Sequence, residues 1–403
     1  MKQIIFVDDE SNILQGLRRS LRRFRHEWKL EFATSGQEAL EKLGNSRFDA
    51  IVTDMRMPGM DGAELLQRVK ERYPYMLRIV LSGQCDEETI IRSIGNAHQF
   101  FAKPCDIEKL TTMLGRVFVF LDRVPAEETK SLLMGAIMVP MIPARINELV
   151  SNLDSGPEDS SKISEAMGKS IFLSANLFRL VNSQFFVTSE GVYDIEKAVE
   201  ILTPRIIKRI IMENDFVSEL DESIAERFGI ARKVEHSVRS AYFAERIARS
   251  EGLGADEIGL YRTAAFFHDI GMFLLMKKDS ERYAKVIDKV SGRTEEILEA
   301  EREIYGCTHQ EIGASLLAAW AFAEDVIDAA AFHVNPADSP RKNSPALAAV
   351  HVAHLLERGL SAGDATRFIG EYTNDYLKLI GLHERLGRWI DAALEGSEES
   401  VGV

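Results

Sequence analysis

Acidic, hydroxyl and lysine side chains follow short apolar stretches in the first third of the chain, each at the end of a predicted strand. Asp8 and Asp9 follow the first stretch, Asp54 closes the third, Ser82 the fourth and Lys103 the fifth. Three carboxylates at neighbouring strand ends would repel each other unless a hard cation such as Mg²⁺ joined them. Asp54 could then act as a nucleophile toward a phosphoryl group, while the metal, Lys103 and Ser82 stabilise charge on the transferring oxygens.

The elements that must position these side chains are five successive pairs of a strand and a helix. Apolar runs predict strands at Gln3–Val7, Leu30–Thr34, Ala50–Thr53, Leu77–Leu81 and Gln99–Ala102, and an amphipathic segment follows each of them. This alternation implies a parallel sheet with helices on both faces. Since ligands in such folds sit outside the carboxyl ends of the strands, the polar side chains lie where chemistry is expected.

These motifs resemble the receiver domain of bacterial response regulators over residues 1–122, through Asp-Asp-Glu, Asp-Met-Arg-Met-Pro-Gly-Met-Asp-Gly, Leu-Ser-Gly and Lys-Pro. The resemblance implies a flavodoxin-like α/β domain with strand order 2-1-3-4-5 and Asp54 as the phosphoacceptor. It also implies a Mg²⁺ site and a set of phosphoryl-stabilising and switch residues. The Mg²⁺ ligands would be Asp9, Asp54 and the backbone carbonyl of Arg56, with Asp8 acting through water, and the other set would be Ser82, Phe100 and Lys103.

Side chains of metal-binding type recur in the C-terminal part of the chain, at His236, His268, Asp269, His309, His333 and His354. The sharpest local pattern is Ala-Ala-Phe-Phe-His-Asp-Ile-Gly-Met around His268 and Asp269. An adjacent His-Asp pair after an apolar helix can bind a divalent metal if other helices contribute further ligands. Segments of helical period follow one another from about residue 135, so this part of the chain is predicted to be all-α.

The His-Asp pattern resembles the HD superfamily of metal-dependent phosphohydrolases, and its wider context resembles the HDOD domain, an HD-related output module. The segments that carry this likeness begin at Met141, Asp194, His268 and His309 and end with Ala-Ala-Phe-His333. The resemblance implies an HD-like helical fold. The predicted organisation is a receiver domain at 1–122, a linker or extended helix at 123–134, an HDOD domain at 135–340, a C-terminal helical extension at 341–394 and a flexible tail at 395–403.

Two departures from active HD enzymes favour a non-enzymatic output. His354 stands where such enzymes carry an Asp as the last metal ligand, and Met272 stands where related cyclic-dinucleotide phosphodiesterases carry a Lys. The alternative is a phosphohydrolase of a nucleotide or cyclic dinucleotide, which would use a transition metal held by the histidine set. In a third interpretation the histidines are hydrogen-bonded core residues.

Charge is unevenly divided between the two parts of the chain. Residues 1–122 contain equal numbers of basic and acidic residues, so the formal net charge of −14 belongs to the remainder. A phosphate backbone would repel such an acidic region, which argues against DNA as a partner. No apolar run is long enough to span a membrane, and three scattered cysteines fit free thiols in a reducing cytoplasm.

These features predict a cytoplasmic two-component response regulator, a phosphoprotein of a phosphorelay in signal transduction. A sensor histidine kinase would phosphorylate Asp54, and the change near Ser82 and Phe100 would alter packing against the helical domain. The expected partners are that kinase and a downstream signalling protein, with a homodimer as an open alternative. The expected cofactors are Mg²⁺ in the receiver domain and, if the histidine set binds metal as in the phosphohydrolase alternative, a transition metal in the HDOD domain.

Overall fold

A computed structural model gives the fold of most of the chain. It describes residues 1–83, 87–135, 139–141, 151, 160–168, 170–183, 186, 191–213, 217–219, 222–290, 296–363 and 369–395. The predicted tail lies outside these ranges apart from Glu395. Among the helices within them, none combines the length and the apolar character needed to cross a membrane.

The N-terminal region forms a five-stranded parallel sheet with the strand order β2-β1-β3-β4-β5. The strands are β1 (Lys2–Val7), β2 (Trp28–Ala33), β3 (Ala50–Asp54), β4 (Leu77–Ser82) and β5 (Gln99–Ala102). Every residue of β3 and β4 is buried, as expected for central strands that are covered on both faces. The predicted flavodoxin-like fold and its strand order are confirmed, and no strand limit differs from its prediction by more than about two residues.

Helices cover both faces of this sheet and begin where the strand-end loops supply a capping side chain. They are α1 (Ser11–Ser20), α2 (Gly36–Asn45), α3 (Gly62–Arg72), α4 (Glu87–Ile94) and α5 (Ile107–Leu121). The side chains of Ser35, Asp61 and Asp106 accept hydrogen bonds from backbone N–H groups in the first turns of α2, α3 and α5. Such caps satisfy donors that have no partner within the helix.

A separate helix, α6 (Glu127–Met134), follows α5 in the segment predicted to be a linker or an extended helix. Its C-terminal end is attached to the sheet by Arg78 on β4, whose Nη2 donates to the Met134 carbonyl at 2.8 Å. Arg78 is fully buried and also donates to the Asn96 carbonyl at 2.7 Å. Burial lowers the pKa of Arg78 to about 9. The backbone carbonyls therefore compensate for much of the cost of burying this guanidinium group.

The C-terminal part is mostly helical, which confirms its predicted class. Its helices are α7 (Ser160–Gly168), α8 (Ile171–Val181), α9 (Ile195–Glu213), α10 (Glu222–Arg227), α11 (Ile230–Ser250), α12 (Ala255–Phe267), α13 (Ile270–Lys278), α14 (Ser280–Val290), α15 (Ile297–Tyr305), α16 (His309–Ala319), α17 (Glu324–Phe332), α18 (Pro345–Ser361), α19 (Glu371–Leu379) and α20 (Leu386–Leu394). Helix α11 packs against α12, α18 and α20, and α16 packs against α13, α17 and α5 of the receiver region.

A short parallel strand pair interrupts this helical region and was not predicted. It consists of β6 (Val139–Met141) and β7 (Val217–Glu219), which lie far apart along the chain. Strands of three residues are too short to show an alternating pattern, so the sequence carried no signal for them. The pair adds a local detail to a region whose predicted helical class is confirmed.

Candidate functional site

The carboxyl ends of β1 and β3 bring three of the predicted carboxylates together. Asp54 closes β3, and Asp8 and Asp9 directly follow β1. One oxygen from each carboxylate lies within 4.8 Å of the others. Asp8 and Asp54 are buried whereas Asp9 is exposed, so the group is open to solvent on one side. Carboxylate oxygens at this spacing are the ligands that Mg²⁺ prefers, and the three residues fit the expected cation.

Lys103 balances part of this negative charge. Its Nζ lies 2.7 Å from Asp8 Oδ2 and 3.0 Å from Asp54 Oδ2. Burial lowers the pKa of Lys103, but hydrogen bonds to the two carboxylates outweigh burial, and the net shift is upward. Burial raises the pKa of Asp54, and the Lys103 ammonium opposes that rise. The other Asp54 oxygen accepts a hydrogen bond from the Met55 N–H at 2.8 Å, which orients the carboxylate.

The remaining predicted residues of this site lie on the neighbouring strands and on the loop after β3. Ser82 closes β4 and Phe100 lies on β5, and both are buried. Arg56 lies in the loop that follows β3. Gly62, at the start of α3, approaches the phosphoacceptor candidate closely, because a Cβ built on it would lie 2.1 Å from the Asp54 backbone oxygen. No side chain fits at this position, which explains the Gly of the Met-Asp-Gly segment.

Strand β5 and the C-terminal end of α4 contact the helical region directly. Gln99 Nε2 on β5 donates to the Trp320 carbonyl at 3.0 Å. Arg179 on α8 is fully buried and donates to the carbonyls of Ile94 and Ala97 at 3.1 and 3.0 Å. Burial lowers the pKa of Arg179 to about 9. Because the last carbonyls of a helix have no partner within it, this arginine caps α4 from the neighbouring domain.

Three histidines from different helices meet at one point in the helical region. His236 lies on α11, His268 directly follows α12 and His354 lies on α18. The two Nε2 atoms of His236 and His268 are 3.2 Å apart, and His354 Nδ1 lies 3.1 Å from each of them. A ring nitrogen carries either one proton or one lone pair, so three such atoms can form only one hydrogen bond among themselves. A metal ion at about 2.1 Å from each nitrogen would use all three lone pairs.

The Asp269 carboxylate connects this trio to a second pair of histidines. Its Oδ2 lies 3.3 Å from His268 Nε2, and its Oδ1 lies 3.4 Å from both His309 Nε2 and His333 Nε2. Within the part of the chain that the structure describes, the buried Nε2 atoms of His309 and His333 form no well-aligned hydrogen bond. One carboxylate with imidazole nitrogens facing each oxygen is an arrangement that can bridge two metal ions.

Two buried glutamates orient the outer histidines of this centre. Glu357 Oε2 contacts His236 Nδ1, and Glu301 Oε2 lies 2.7 Å from His309 Nδ1. Both glutamates are almost completely buried. A carboxylate at Nδ1 fixes the ring and leaves the Nε2 lone pair for a metal. The sequence analysis missed both residues, although the helical spacing of Glu357 from His354 could have indicated the first.

Backbone carbonyls orient two further rings in the same way. His268 Nδ1 contacts the Ala265 carbonyl at 2.5 Å, and His333 Nδ1 contacts the Ala329 carbonyl at 3.0 Å. Burial lowers the pKa of His333 to about 4, so its ring is neutral near pH 7 and presents a lone pair. The four oriented rings thus turn Nε2 toward a common centre.

The charges around this centre favour a cation. Burial would raise the pKa of Asp269, but His268, His309 and His333 lower it well below its usual range. Burial would lower the pKa of His309, but Glu301 and Asp269 raise it to about 10. An imidazole that keeps its proton at neutral pH marks a position that favours positive charge, which a metal ion would supply in place of the proton.

Two glycines let α13 and α16 cross closely enough to bring Asp269 to His309. A Cβ built on Gly271 would lie 2.0 Å from the His309 backbone oxygen and 2.5 Å from the Gly313 nitrogen. Gly271 follows Asp269 by two residues, in the His-Asp-Ile-Gly segment. This glycine therefore has a packing role that positions the bridging carboxylate.

The structure brings all six predicted metal-site residues together and separates them from another buried histidine. His351 Nδ1 donates to the His333 carbonyl at 2.7 Å, and its Nε2 accepts from Thr373 Oγ1 at 3.2 Å, which is the pattern of a core histidine. Of the six, only Asp269 and His236 have appreciable side-chain exposure, 13% and 16%. The centre is therefore closed except on the side of these two residues.

Comparison with known protein families identifies two domains. Residues 4–115 match the response regulator receiver domain, and residues 139–336 match the HDOD domain. Helix α18, which carries His354 and Glu357, begins after the end of the second match.

The chain is also similar to individual proteins. It is 38% identical to the hydrogenase transcriptional regulatory protein HoxA of Cupriavidus necator over 25% of this chain and 21% of HoxA. It is 33% identical to the DNA-binding transcriptional regulator NtrC of Escherichia coli over 27% of this chain and 23% of NtrC. The chain thus spans about a fifth to a quarter of the length of these two relatives.

Two solved structures resemble parts of the chain. One is the signal receiver domain of an HD domain-containing protein from Pseudomonas fluorescens, with 31% identity over 28% of this chain and 91% of that one, and a TM-score of 0.27. The other is the MmoQ response regulator from Methylococcus capsulatus, with 18% identity over 63% of this chain and 98% of that one, and a TM-score of 0.48.

Proposed function

Because this chain belongs to the response regulators, with a receiver domain followed by an HDOD domain, we propose that phosphorylation of Asp54 controls the helical domain. A sensor histidine kinase is the proposed source of the phosphoryl group. Mg²⁺ held by Asp8, Asp9 and Asp54 would neutralise charge between that group and the carboxylates. Asp54 Oδ2 is the proposed nucleophile, since the Met55 N–H holds the other oxygen. Lys103 Nζ, which contacts Asp54 Oδ2 at 3.0 Å, would then bind a phosphoryl oxygen.

A direct chain of contacts supports coupling between the two domains. Gln99 Oε1 accepts the backbone N–H of Phe100 at 2.8 Å, while Gln99 Nε2 donates to the Trp320 carbonyl. Strand β5 pairs with β4, where Ser82 is opposite Ala102. A movement of Ser82 or Phe100 on phosphorylation would therefore change the hydrogen bonds that join β5 to the helical domain.

We further propose that the helical domain binds transition-metal ions at its histidine centre. One ion would be held by His236, His268, His354 and Asp269 Oδ2, and a second by Asp269 Oδ1, His309 and His333. The buried Nε2 atoms without hydrogen-bond partners in the described residues carry this proposal. A set of five imidazoles and one carboxylate suits iron, nickel or zinc better than magnesium. Bound there, the metal would act as a Lewis acid and lower the pKa of a bound water.

Two outputs are compatible with this arrangement. In the non-enzymatic output, phosphorylation alters the surface that β5, α4 and α5 share with the helical domain, and a downstream signalling protein binds it. In the enzymatic alternative, the helical domain hydrolyses a phosphoester. The bridging position of Asp269 favours the alternative, because two adjacent metal ions can bind both the attacking and the leaving oxygen of a phosphoryl group.

Hydrogen–deuterium exchange tests the coupling. Acetyl phosphate with Mg²⁺ should increase exchange in β5 and at the C-terminal end of α4 in the wild-type protein, and in α8 and α16 across the contact. Asp54→Ala should show none of these increases. Phosphorylated protein with unchanged exchange on both sides of the contact would contradict the proposal.

Elemental analysis tests the metal centre. Purified wild-type protein should contain iron, nickel or zinc at about one or two ions per chain, and His268→Ala or Asp269→Ala should lose it. His383→Gln is the control, because His383 is an exposed histidine outside the centre. A metal-free wild-type protein, or equal loss in the control, would contradict the metal proposal. Hydrolysis of bis(p-nitrophenyl) phosphate that disappears in the same two variants would favour the enzymatic output.

A further inference from the structure

Lys233 lies beside the histidine centre without a partner of its own. It precedes His236 by three residues on α11, so the two side chains share one face of the helix. Within the described part of the chain, the backbone of Lys233 is hydrogen-bonded in the helix, whereas its side-chain ammonium forms neither a hydrogen bond nor an ion pair. Burial lowers the pKa of Lys233, while the charges of Asp269 and Glu301 act in the opposite direction. The ammonium group is therefore partly buried on the His236 face of α11, within range of the charges of these two carboxylates.

An ammonium group in this position is costly to the fold. Transfer of a charge out of water is unfavourable unless a counter-ion or hydrogen bonds compensate for it. Neither Asp269 nor Glu301 forms an ion pair with Lys233, because their oxygens contact the histidine rings instead. Among the described residues, no carboxylate serves as the counter-ion of Lys233, so an anionic ligand could take that role.

The net charge of a metal-bound centre would also favour an anionic ligand. Two divalent ions would add four positive charges to a region whose carboxylates are the buried Glu301 and Glu357 and the partly exposed Asp269. With Lys233 and neutral imidazoles, the net charge would be about +2 or more, since Arg239 also acts on Glu357. A single hydroxide ligand would neutralise only one of these charges and leave the largely closed site positive. A dianionic ligand would neutralise two of them.

A phosphate group has enough oxygen atoms to contact Lys233 and the two proposed metal ions together. A phosphate group offers at least three terminal oxygens, which can contact two metal ions and a lysine at once, whereas a carboxylate offers only two. The partly exposed side chains of His236 and Asp269 leave one open side of the centre, and Lys233 lies on the helix that carries His236. We propose that Lys233 and the metal centre together bind a phosphate group, either as inorganic phosphate or as a phosphomonoester. This inference rests on the metal centre proposed above.

Calorimetric titration of the full-length, metal-containing protein with inorganic phosphate tests it. Lys233→Met should weaken phosphate binding at least tenfold and leave the metal content unchanged. The matched control is Arg232→Met, because Arg232 is an exposed cation on the preceding residue of the same helix. This control should keep phosphate affinity within about twofold of wild type, since exposed charges are screened.

Thermal unfolding separates a binding role from a structural one. Lys233→Met removes an unpaired, largely buried charge, so the phosphate-free variant should unfold at the same temperature as wild type or higher. Phosphate should raise the unfolding temperature of wild type and of Arg232→Met, but not that of Lys233→Met. A lysine with only a structural role would instead lower the unfolding temperature when replaced.

The outcomes distinguish failure of this inference from failure of the metal centre. Equal phosphate affinity in wild type and Lys233→Met, at full metal content, would overturn the role of Lys233 and leave the metal centre intact. A metal-free wild-type protein would overturn both proposals. Phosphate binding that survives removal of the metal by a chelator would overturn the shared site. Competition between p-nitrophenyl phosphate and inorganic phosphate would support the monoester form, and its absence would support the free anion.

Discussion

The receiver site and the histidine centre assemble candidate metal ligands in opposite ways. At the receiver site, three carboxylates lie at a surface edge, Asp9 is exposed, and Lys103 supplies a positive charge. In the helical domain, five imidazoles and one carboxylate lie in a nearly closed interior, and buried glutamates hold two of the rings. Oxygen ligands open to water suit a hard ion that exchanges and leaves room for a phosphoryl group. Oriented imidazoles in a closed centre suit a transition metal that stays bound.

The two sites also differ in the secondary structure that positions their side chains. The receiver site uses residues at the ends of adjacent strands, so the parallel sheet alone aligns them. The histidine centre uses residues from α11, α12, α16, α17 and α18 and from the turns that follow them. Its geometry therefore requires that several helices pack at short and specific distances.

The largest expected effects are two separate losses, of phosphorylation in one variant and of metal binding in another. Asp54→Ala should abolish acid-labile phosphate formed with acetyl phosphate and leave the metal content of the protein unchanged. His268→Ala should abolish metal binding and leave phosphorylation intact. The measurements are a phosphate-release assay and elemental analysis, with Glu41→Gln, an exposed acid on α2, as the control. Loss of both properties in either variant would mean that the two sites are not independent.

A second prediction tests the dependence of the histidine centre on close helix packing. Gly271→Ala should lower the free energy of unfolding by about 3 kcal/mol or more, because its Cβ would meet the His309 backbone oxygen. Metal content should fall with it. Gly16→Ala on α1 is the matched control, since a Cβ there meets no atom within 4 Å. This control should raise stability by about 0.5–1 kcal/mol, because alanine is favoured over glycine inside helices. Denaturant unfolding measures both changes.

A third prediction concerns the buried glutamates, which have no counterpart at the receiver site. Glu301→Gln should weaken metal binding by about 10–100-fold, because an amide orients His309 less well and raises its basicity less. Competition with a chromogenic chelator measures the change. Glu299→Gln is the control, because Glu299 is exposed on the same helix. The metal affinity of this variant should match that of the wild-type protein. Unchanged affinity in Glu301→Gln would show that this carboxylate has no influence on the metal.

The smallest expected effect concerns the contact between the two regions. Arg179→Met leaves the carbonyls of Ile94 and Ala97 without their donor, which should cost about 1–3 kcal/mol and increase hydrogen exchange in α4. Arg116→Met removes a more exposed ion pair with Glu324 across the same contact and should cost at most about 1 kcal/mol. Denaturant unfolding and hydrogen exchange measure the two variants. A larger effect for Arg116 than for Arg179 would contradict the capping role.

Much of the fold and part of each candidate site followed from local patterns. The five strands were predicted to within about two residues because each apolar run is bounded by loop residues. The six residues of the histidine centre were named from motifs, and the structure brings them together. Glu301 and Lys233 were not named, because nothing in their own sequence neighbourhood distinguishes them from other charged residues on helices. Glu357 was not named either, and only its helical spacing from His354 could have indicated it.

His354 shows what a motif alone could not decide. It stands where active HD enzymes carry an Asp, and the sequence analysis counted it both as a departure from those enzymes and as a candidate metal ligand. In the structure His354 Nδ1 lies 3.1 Å from the ring nitrogens of His236 and His268. The imidazole therefore lies among the other candidate ligands, and it brings no negative charge to the centre, unlike an Asp at this position.

The sequence by itself determined the alternation of strands and helices along the first third of the chain, the acidic strand ends with Asp54 and the set of histidines, because these depend on short-range periodicity and on residue type. The order of the strands within the sheet was implied by the family resemblance. Only the tertiary structure decided which atoms face each other. The Asp269 carboxylate lies between two groups of imidazoles, and Gly271 permits the helix crossing that places it there. The charge of Asp269 also acts on Lys233, although the two form no ion pair among the described residues. These relations join residues that are far apart along the chain, and the packing of helices, rather than any local pattern, sets their distances.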